Sequence, residues 1–157
     1  KIFIENQMKV VIQRVKSSSV QINQKIKSEI ERGLLVFIGI CHDDTKSDAE
    51  WLVNKILNLR IFNDKQGVMN ESLIDVNGEI LIISQFTLMA LTKKGNRPSY
   101  IRSAPHKIAI PLYEYFVEMF KVKIYDKVKT GVFAADMEVK LVNDGPVTIL
   151  MDTKNRE

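Results

Sequence analysis

Hydrophobic and polar residues alternate over both ends of this chain, and such alternation is typical of β-strands with one buried face. Four short runs rich in β-branched residues open the sequence and predict a meander of strands at 9–15, 19–23, 25–30 and 34–40. Further strands are expected at the start of the run 79–88 and at 122–131, 137–143 and 146–152. The run 79–88 begins as a continuous apolar stretch and then turns polar, so its strand should end there.

Two stretches between these runs have the spacing of amphipathic helices. Ser47, with Glu50 three residues later, forms a capping box ahead of apolar residues three and four apart, which predicts a helix from about 48 to 60. A second helix is expected over 104–121, where Pro111 should remove one hydrogen bond or introduce a kink. Two helices among about eight strands, with no long linker, predict a single α+β domain.

The composition of the chain fits one globular domain. It has 157 residues, 45% of them hydrophobic, and no apolar run approaches the roughly 18 residues that cross a bilayer, so no membrane partner is expected. The single cysteine, Cys41, ends an apolar run and is expected to be a buried side chain in a reducing compartment, which favours a cytoplasmic location. Residues 1–7 precede Met8 and are interpreted as an N-terminal extension or an expression remnant.

Positive charge is in mild excess and is clustered. Lys and Arg number 23 against 19 Asp and Glu, and the net charge of +4 tolerates a polyanionic partner without requiring one. One basic cluster comprises 92–97 with Arg102 and Lys107, and a second covers 121–129. Two solvated faces explain these clusters as well as a phosphate-contacting surface does.

Most familiar catalytic signatures are missing from the sequence. It contains no phosphate-binding GxxxxGK[ST], no GxSxG, no HExxH and no paired cysteines. The two histidines, His42 and His106, have no ligand at metal spacing and are interpreted as surface residues. A Ser-His-Asp hydrolase and a metal-dependent hydrolase are therefore both disfavoured.

Two short segments still carry polar groups in unusual places. The first is SQFTL at 84–88, which places three hydrogen-bonding side chains at the end of an apolar strand. Strand ends often carry sites, but such side chains also simply solvate loops.

The second segment is VKLVNDGPVTILMD at 139–152, interpreted as two strands joined at 143–146. Pro146 falls where the returning strand should donate its first hydrogen bond. An edge strand that begins with proline is the ordinary explanation. The alternative is a Gly-Pro bond that aims two backbone carbonyls in an unusual direction, because a cis peptide costs little before proline.

Together, SQFTL and NDGPVTI resemble the two signature motifs of the D-aminoacyl-tRNA deacylases, formerly called D-tyrosyl-tRNA deacylases. The resemblance runs from Met8 to about Asp152, with MKVVIQRV, GLLVFIGI, LNLRIF, GNRPSY and TGVFAADMEV in the family's order. Ala134 departs from the family, which often has glycine at that position. The resemblance implies mainly antiparallel strands in a barrel-like two-sheet arrangement with two main helices, a deacylase domain over 8–152 and a C-terminal tail over 153–157.

The resemblance also implies an activity. It is hydrolysis of the ester bond of D-aminoacyl-tRNA, with tRNA as partner through its aminoacylated 3′ end, and without a metal or organic cofactor. Proteins of this family are homodimers in which a cis Gly-Pro peptide projects its carbonyls into the active site of the other subunit. Gly145 and Pro146 would thus complete the partner's pocket at the subunit interface.

Further site residues follow from their positions in the motifs. Four residues match the first motif and would surround the ester: Ser84, Gln85, Phe86 and Thr87. Phe133 and Met137 match positions that the family uses around the terminal adenosine, although ordinary core packing explains them equally well. The segment containing Lys93, Lys94 and Arg97 is the place expected for acceptor-stem phosphates.

Two rival functions belong to other classes. A non-catalytic RNA-binding module could keep the fold and the basic surface without turnover, but the intact SQFTL and NDGPVT segments count against it. A small-molecule esterase is the third possibility, and it would be weak without a histidine-activated nucleophile.

Overall fold

The computed structural model of the chain describes residues 7–157. Residues 1–6, and with them most of the expected N-terminal extension, lie outside the described residues. The described part forms eight strands, two α-helices and two 3₁₀ turns. The strands are β1 (Lys9–Ile22), β2 (Lys25–Ile30), β3 (Gly33–Gly39), β4 (Phe62–Asn63), β5 (Met69–Glu71), β6 (Glu79–Ser84), β7 (Val128–Thr130) and β8 (Glu138–Asp152). The helices are α1 (Lys46–Asn58) and α2 (His106–Ile124), and the 3₁₀ turns cover Phe86–Met89 and Tyr125–Lys127.

Six of the strands form one large sheet around β1. Strand β3 pairs antiparallel with the first half of β1, β2 pairs with its second half, and β8 runs antiparallel along both halves. The parallel strands β6 and β7 extend the sheet beyond β3. The Ser28 hydroxyl of β2 donates to the Thr130 carbonyl of β7 at 2.7 Å, so the sheet is a nearly closed barrel. With the small β4–β5 sheet and two helices, this confirms the predicted fold class.

Strands β3 and β6 lie between two apolar layers. Leu34 and Val36 of β3 belong to a core cluster that includes residues of both helices. Their neighbour Leu35 faces a second cluster with Leu81 and Ile83 of β6. Because both faces of these strands are buried, their sequences are continuous apolar runs instead of alternating ones.

The predicted turn at 143–146 is wrong. Strand β8 stays antiparallel to β1 on both sides of this segment, with Val15 opposite Asn143 and Gln13 opposite Thr148. Four residues of β8, 144–147, therefore lie opposite Arg14 alone. The segment is a large bulge within one continuous strand, which bends the chain without reversing it.

The strand predicted over 122–131 is also wrong in its first half. Helix α2 continues to Ile124, and only Val128–Thr130 form β7. The reason is the apolar stripe of α2, because Phe116, Phe120 and Ile124 are buried at four-residue spacing and keep the chain helical. Pro111 does not end the helix, since it lies in the second turn of α2 and removes one hydrogen bond there.

Helix α1 begins two residues earlier than the sequence predicts. Its capping box is Thr45 with Asp48, not Ser47 with Glu50. The Asp48 carboxylate accepts a hydrogen bond from the Thr45 N–H at 2.8 Å and receives the Lys154 ammonium at 3.2 Å. Ser47 is exposed inside the first turn, so it caps nothing.

The last residues of the chain pack against α1. Arg156 lies over the Trp51 ring, with its guanidinium carbon 4.2 Å from the ring centroid. Thr153 is buried, and its hydroxyl accepts a hydrogen bond from the Met8 N–H at 3.2 Å. Within residues 7–157, neither helix has the length and apolar character needed to cross a membrane.

Candidate active site

The first motif lies where the parallel strands β3 and β6 end. Ser84, the last residue of β6, pairs with Ile38 of β3, and the Gln85 N–H donates to the Ile38 carbonyl at 2.7 Å. Gly39 permits this close approach, because a Cβ there would lie 3.0 Å from the Gln85 carbonyl oxygen. The chain then enters the 3₁₀ turn Phe86–Met89. SQFTL thus occupies the carboxyl edge of the parallel strands, where open sheets commonly place ligand sites.

A cavity of about 410 Å³ opens at this edge. Its walls come from the ends of β3 and β6, from the start of α2 and from the irregular segment between β7 and β8. Five of the eight predicted site residues line it: Ser84, Gln85, Phe86, Phe133 and Met137. The volume falls within the usual range for a small-molecule site.

The Phe133 wall of the cavity is held by two rings of α2. The His106 ring meets Phe133 edge to face at a centroid distance of 5.4 Å, and the Tyr113 ring lies 5.5 Å away. Ala134 follows with φ 63°, a left-handed conformation that favours glycine, which is the residue the family often has there. Met137 reaches back over Gly131, where a Cβ would lie only 2.5 Å from the Met137 sulfur.

Few titratable groups face the cavity. His106 and Asp136 are the titratable side chains among the described lining residues. Thr87 lies outside the lining, and its hydroxyl accepts a hydrogen bond from the Gln85 amide. An amide cannot take a proton from a hydroxyl, so SQFTL contains no general base beside a nucleophile.

The rim of the cavity is aromatic and open to solvent. Phe86 is 56% exposed, although its side chain lines the cavity on one side. The Tyr100 ring packs edge to face against Phe86 at 5.0 Å. An exposed apolar ring at a cavity mouth is available for contact with a ligand or with another protein surface.

The second motif lies in the bulge of β8. The Gly145-Pro146 peptide is cis, as the resemblance implied, and both residues are exposed. Gly145 has φ 138°, a conformation that only glycine adopts readily. A Cβ on Gly145 would also lie 2.8 Å from Val147 Cγ2 and 3.2 Å from Arg14 Nη2. The bulge therefore requires glycine at this position.

Arg14 supports the bulge from below. The residue is 5% exposed, and its Nε donates to the Asp144 carbonyl at 2.9 Å. Nη1 donates to the Ile61 carbonyl at 2.7 Å and to Asn63 Oδ1 at 3.2 Å. The planar guanidinium thereby ties β8 to the chain around β4 and fixes the start of the bulge.

Asn143 closes the base of the bulge from the other side. Its Oδ1 accepts a hydrogen bond from the Val147 N–H at 2.8 Å, and its Nδ2 donates to the Val147 carbonyl at 3.2 Å. Asn143 Nδ2 also lies 3.3 Å from Gln13 Oε1 of β1. With both ends held, the bulge presents the Gly145-Pro146 peptide to solvent in a defined orientation.

One chain does not bring its two motifs together. The bulge lies opposite Arg14, whereas Ser84 is level with Val10, four residues further along β1. Ser84 is also two strands from β1 on the opposite side to β8. At about 3.3 Å per residue and 4.8 Å per strand, the two motifs lie on the order of 20 Å apart along the sheet.

Sequence reasoning missed three residues that organise these motifs. Arg14 lies on the same inward face of β1 as Val10 and Ile12, four and two residues away. A charged side chain on an inward face indicates that it has a buried hydrogen-bonding partner. His106 was interpreted as a surface residue, and it is exposed, but it also lines the cavity. Tyr113 carried no signal beyond its place in the apolar stripe of α2.

The two predicted basic clusters lie on different parts of the fold. Lys93, Lys94 and Arg97 are exposed on the loop between the 3₁₀ turn and α2, whereas 121–129 is divided among α2, the second 3₁₀ turn and β7. Over residues 7–157, no group of three or more His, Cys, Asp or Glu side chains is placed to hold a metal ion.

Comparisons with known proteins give one consistent result. The family model described as D-Tyr-tRNA(Tyr) deacylase matches residues 11–152. A D-aminoacyl-tRNA deacylase from Flavobacterium psychrophilum is 58% identical over 150 residues, which are 96% of this chain and 100% of the relative. One from Phocaeicola vulgatus is 57% identical with the same coverage of both chains.

Two solved structures are similar as well. One described as c-Myc DNA Unwinding Element Binding Protein has a TM-score of 0.87 and 41% identity, over 91% of this chain and 97% of that one. The other is described as a probable eukaryotic D-amino acid tRNA deacylase, with a TM-score of 0.81 over 93% of this chain and 99% of that one. Its identity is 19%, so this likeness concerns the fold alone.

Proposed function

We infer, from the premise that this chain belongs to the D-Tyr-tRNA(Tyr) deacylase family, that it hydrolyses the ester bond of D-aminoacyl-tRNA and releases the D-amino acid and free tRNA. The activity is that of a D-aminoacyl-tRNA deacylase, a hydrolase that keeps D-amino acids out of translation. Aminoacyl-tRNA is used where proteins are made, so we place the protein in the cytoplasm.

Each active site is built from two copies of the chain. The separation of the motifs supports this, because the bulge lies on the order of 20 Å from Ser84 along the sheet of its own chain. The bulge is exposed and held rigidly, and the cavity is open at an apolar rim. In a symmetric dimer, Gly145 and Pro146 of each subunit would enter the cavity of the other.

The cavity receives the esterified 3′ end of the tRNA. Phe133 and Met137 supply an apolar wall for the terminal adenine, and Ser84 and Gln85 face the ester from the strand end. Phe86 and Thr87 are the first residues of a 3₁₀ turn, so their N–H groups have no acceptor within that turn. These donors would stabilise the negative charge that develops on the ester carbonyl oxygen.

Chirality is selected by exclusion at the bulge. The carbonyls of the Gly145-Pro146 segment accept hydrogen bonds from the α-ammonium group of the amino acid. Because the bulge is held by Arg14 and Asn143, these carbonyls cannot move aside for a side chain on the L face. A D-amino acid directs its side chain away from the bulge and is accepted.

Phosphates of the acceptor stem contact the loop that carries Lys93, Lys94 and Arg97. These side chains are exposed, and their contacts would be independent of sequence. Such contacts strengthen binding and make it sensitive to salt, while the cavity and the bulge determine which ester is cleaved.

Complementation between two inactive variants tests the shared site. Phe133→Ala damages the cavity and Gly145→Ala damages the bulge, and each variant is purified with a different tag. A heterodimer of the two has one site with both parts intact. After unfolding and refolding of an equal mixture, statistical pairing predicts about a quarter of wild-type activity. If the mixed dimer forms but stays as inactive as the separate variants, each subunit uses only its own residues.

A further inference from the structure

The carbonyl oxygen of Ile82 accepts hydrogen bonds from two other elements around the cavity. Ile82 lies in β6, two residues before the Ser84 that lines the cavity. Its carbonyl accepts a hydrogen bond from the Tyr113 hydroxyl of α2 at 3.1 Å. The same carbonyl accepts a hydrogen bond from the N–H of Gly131, the first residue after β7, at 3.4 Å. One oxygen thus joins the strand, the helix and the segment that carries Phe133.

Tyr113 contacts both β6 and the segment that carries Phe133. Its hydroxyl is bound to β6, and its ring lies 5.5 Å from the Phe133 ring. His106 and Ala109, which line the cavity, precede Tyr113 by seven and four residues, so all three lie on one face of α2. Tyr113 therefore lies on the helix face that forms the cavity wall and packs behind the lining residue Phe133.

The Tyr113 hydroxyl is available only as a donor to this carbonyl. The residue is 6% exposed, and burial raises the pKa of its hydroxyl to about 12. The proton therefore stays in place throughout the physiological pH range. The hydrogen bond from the Gly131 N–H is at the long limit of the usual distance, so it holds the elements together less well than the bond from Tyr113 does.

We propose that Tyr113 is a positioning residue for deacylation. It fixes the spacing between β6 and α2 and thereby holds the Phe133 wall at the width that the terminal adenosine requires. This inference rests on the proposed function of the cavity. Tyr113 touches no reacting atom, so its removal should weaken substrate binding more than the chemical step.

Tyr113→Phe removes the hydroxyl and keeps the ring against Phe133. The expected result is a KM for D-aminoacyl-tRNA raised about tenfold, the equivalent of one hydrogen bond, with kcat within about twofold of wild type. The matched control is Tyr115→Phe on the same helix, whose hydroxyl donates to Glu50 Oε1 at 2.6 Å away from the cavity. Both variants lose one tyrosine hydrogen bond, and only Tyr113→Phe should change KM.

A double-mutant cycle with Phe133→Leu shows whether Tyr113 acts through Phe133. If it does, the effects of the two substitutions on KM are less than additive, because the second removes a wall that is already misplaced. Thermal unfolding of every variant corrects the kinetic values for the folded fraction. A purely structural role predicts lower unfolding temperatures for both tyrosine variants with equal KM values.

The outcomes separate this inference from the function on which it rests. Wild-type protein that fails to cleave D-aminoacyl-tRNA would overturn the proposed function itself. Active wild type with the same KM in Tyr113→Phe and Tyr115→Phe would overturn the role of Tyr113 alone, as would strictly additive effects of Tyr113→Phe and Phe133→Leu.

Discussion

The Nε of Arg14 donates a hydrogen bond to the backbone carbonyl of Asp144 across 2.9 Å, and this contact joins a buried side chain of β1 to an exposed bulge of β8. The Asp144 carboxylate lies 3.7 Å from the same nitrogen. Because the bulge presents the Gly145-Pro146 peptide, the orientation of that peptide depends on a residue 130 positions earlier in the chain.

Arg14→Lys should damage the bulge although the charge is kept. A lysine ammonium cannot reproduce the fork that binds the Asp144 and Ile61 carbonyls, so buried acceptors lose their donors. We expect a loss of about 3 kcal/mol in unfolding free energy, with a lower ratio of D- to L-aminoacyl-tRNA hydrolysis. Chemical denaturation and paired hydrolysis assays measure the two effects.

Arg60→Lys is the matched control for this substitution. Arg60 also donates from Nε to a carbonyl, that of Asn70 at 2.9 Å, but it does so in solvent. The change should cost less than about 0.5 kcal/mol and leave the D-to-L ratio unaltered. Equal effects of the two substitutions would contradict the role given to Arg14.

Gly145→Ala should destabilise the protein and abolish most activity. The residue has φ 138°, and a Cβ would meet Val147 and Arg14, so we expect a cost of about 2 kcal/mol together with a displaced bulge. Gly67→Ala is the control, because Gly67 has φ 80° with no atom within 4 Å of the added Cβ. It shares the backbone penalty but should keep wild-type kcat/KM. Steady-state assays on both variants decide the matter, and loss of activity in Gly67→Ala would point to a general effect on folding.

Asp44 should make the protein less stable as the pH rises towards neutrality. The carboxyl group is buried, Oδ1 has no hydrogen-bond partner among the described residues, and burial raises its pKa from 3.8 to about 7. The folded state therefore binds a proton that the unfolded chain releases near pH 4. The resulting stability is fully present below about pH 4 and is lost as the pH rises through about 7.

The test of this pH dependence compares the thermal unfolding of Asp44→Asn and wild type from about pH 4.5 to about pH 8. This range covers the pH values over which the stability from Asp44 is lost. The difference in unfolding temperature should move in favour of the asparagine variant as the pH rises. Asp75→Asn is the control, because the Ser72 N–H lowers the pKa of Asp75 below its ordinary 3.8, so this carboxyl stays ionised in both states and the difference between Asp75→Asn and wild type should stay constant over this pH range. A difference between Asp44→Asn and wild type that stays constant with pH would show that Asp44 does not titrate in this range.

Thr87 should not be the nucleophile. Its hydroxyl is bound to the Gln85 amide and has no adjacent base, whereas the substrate carries a 2′-hydroxyl beside the ester at high effective concentration. We expect Thr87→Ala to retain substantial hydrolysis. Wild-type enzyme should lose nearly all hydrolysis of tRNA that ends in 2′-deoxyadenosine and is esterified at its 3′ position. The reverse pattern, or a trapped ester on Thr87, would make threonine the nucleophile.

Elements fixed by local pattern could be predicted from the sequence, and elements fixed by distant pairing could not. The apolar runs of β3 and β6 predict these strands, and in the structure their apolar residues are buried on one face or the other except the half-buried Phe37. The segment 143–146 has the residues of a turn, yet its pairing with β1 makes it a bulge. No local signal distinguishes the two, because the partner strand lies far away in the sequence.

The same division applies to the site. The strand end at Ser84 could be predicted, since the composition changes from apolar to polar there. The wall formed by His106, Tyr113 and Phe133 could not, because it arises from the packing of α2 against the segment after β7. The resemblance to a family supplied the positions of Gly145 and Pro146, which spacing alone would have left as an edge strand.

Hydrolysis of matched D- and L-aminoacyl-tRNA is the most direct measurement of the central claim. Purified protein is incubated with tRNA carrying the D or the L form of one amino acid, and the remaining ester is followed over time. The D ester should be cleaved at least about a hundredfold faster than the L ester, which should decay at the rate of the buffer control. If neither ester is cleaved faster than in buffer, the protein is no deacylase, and equal cleavage of both would show that the bulge does not select chirality.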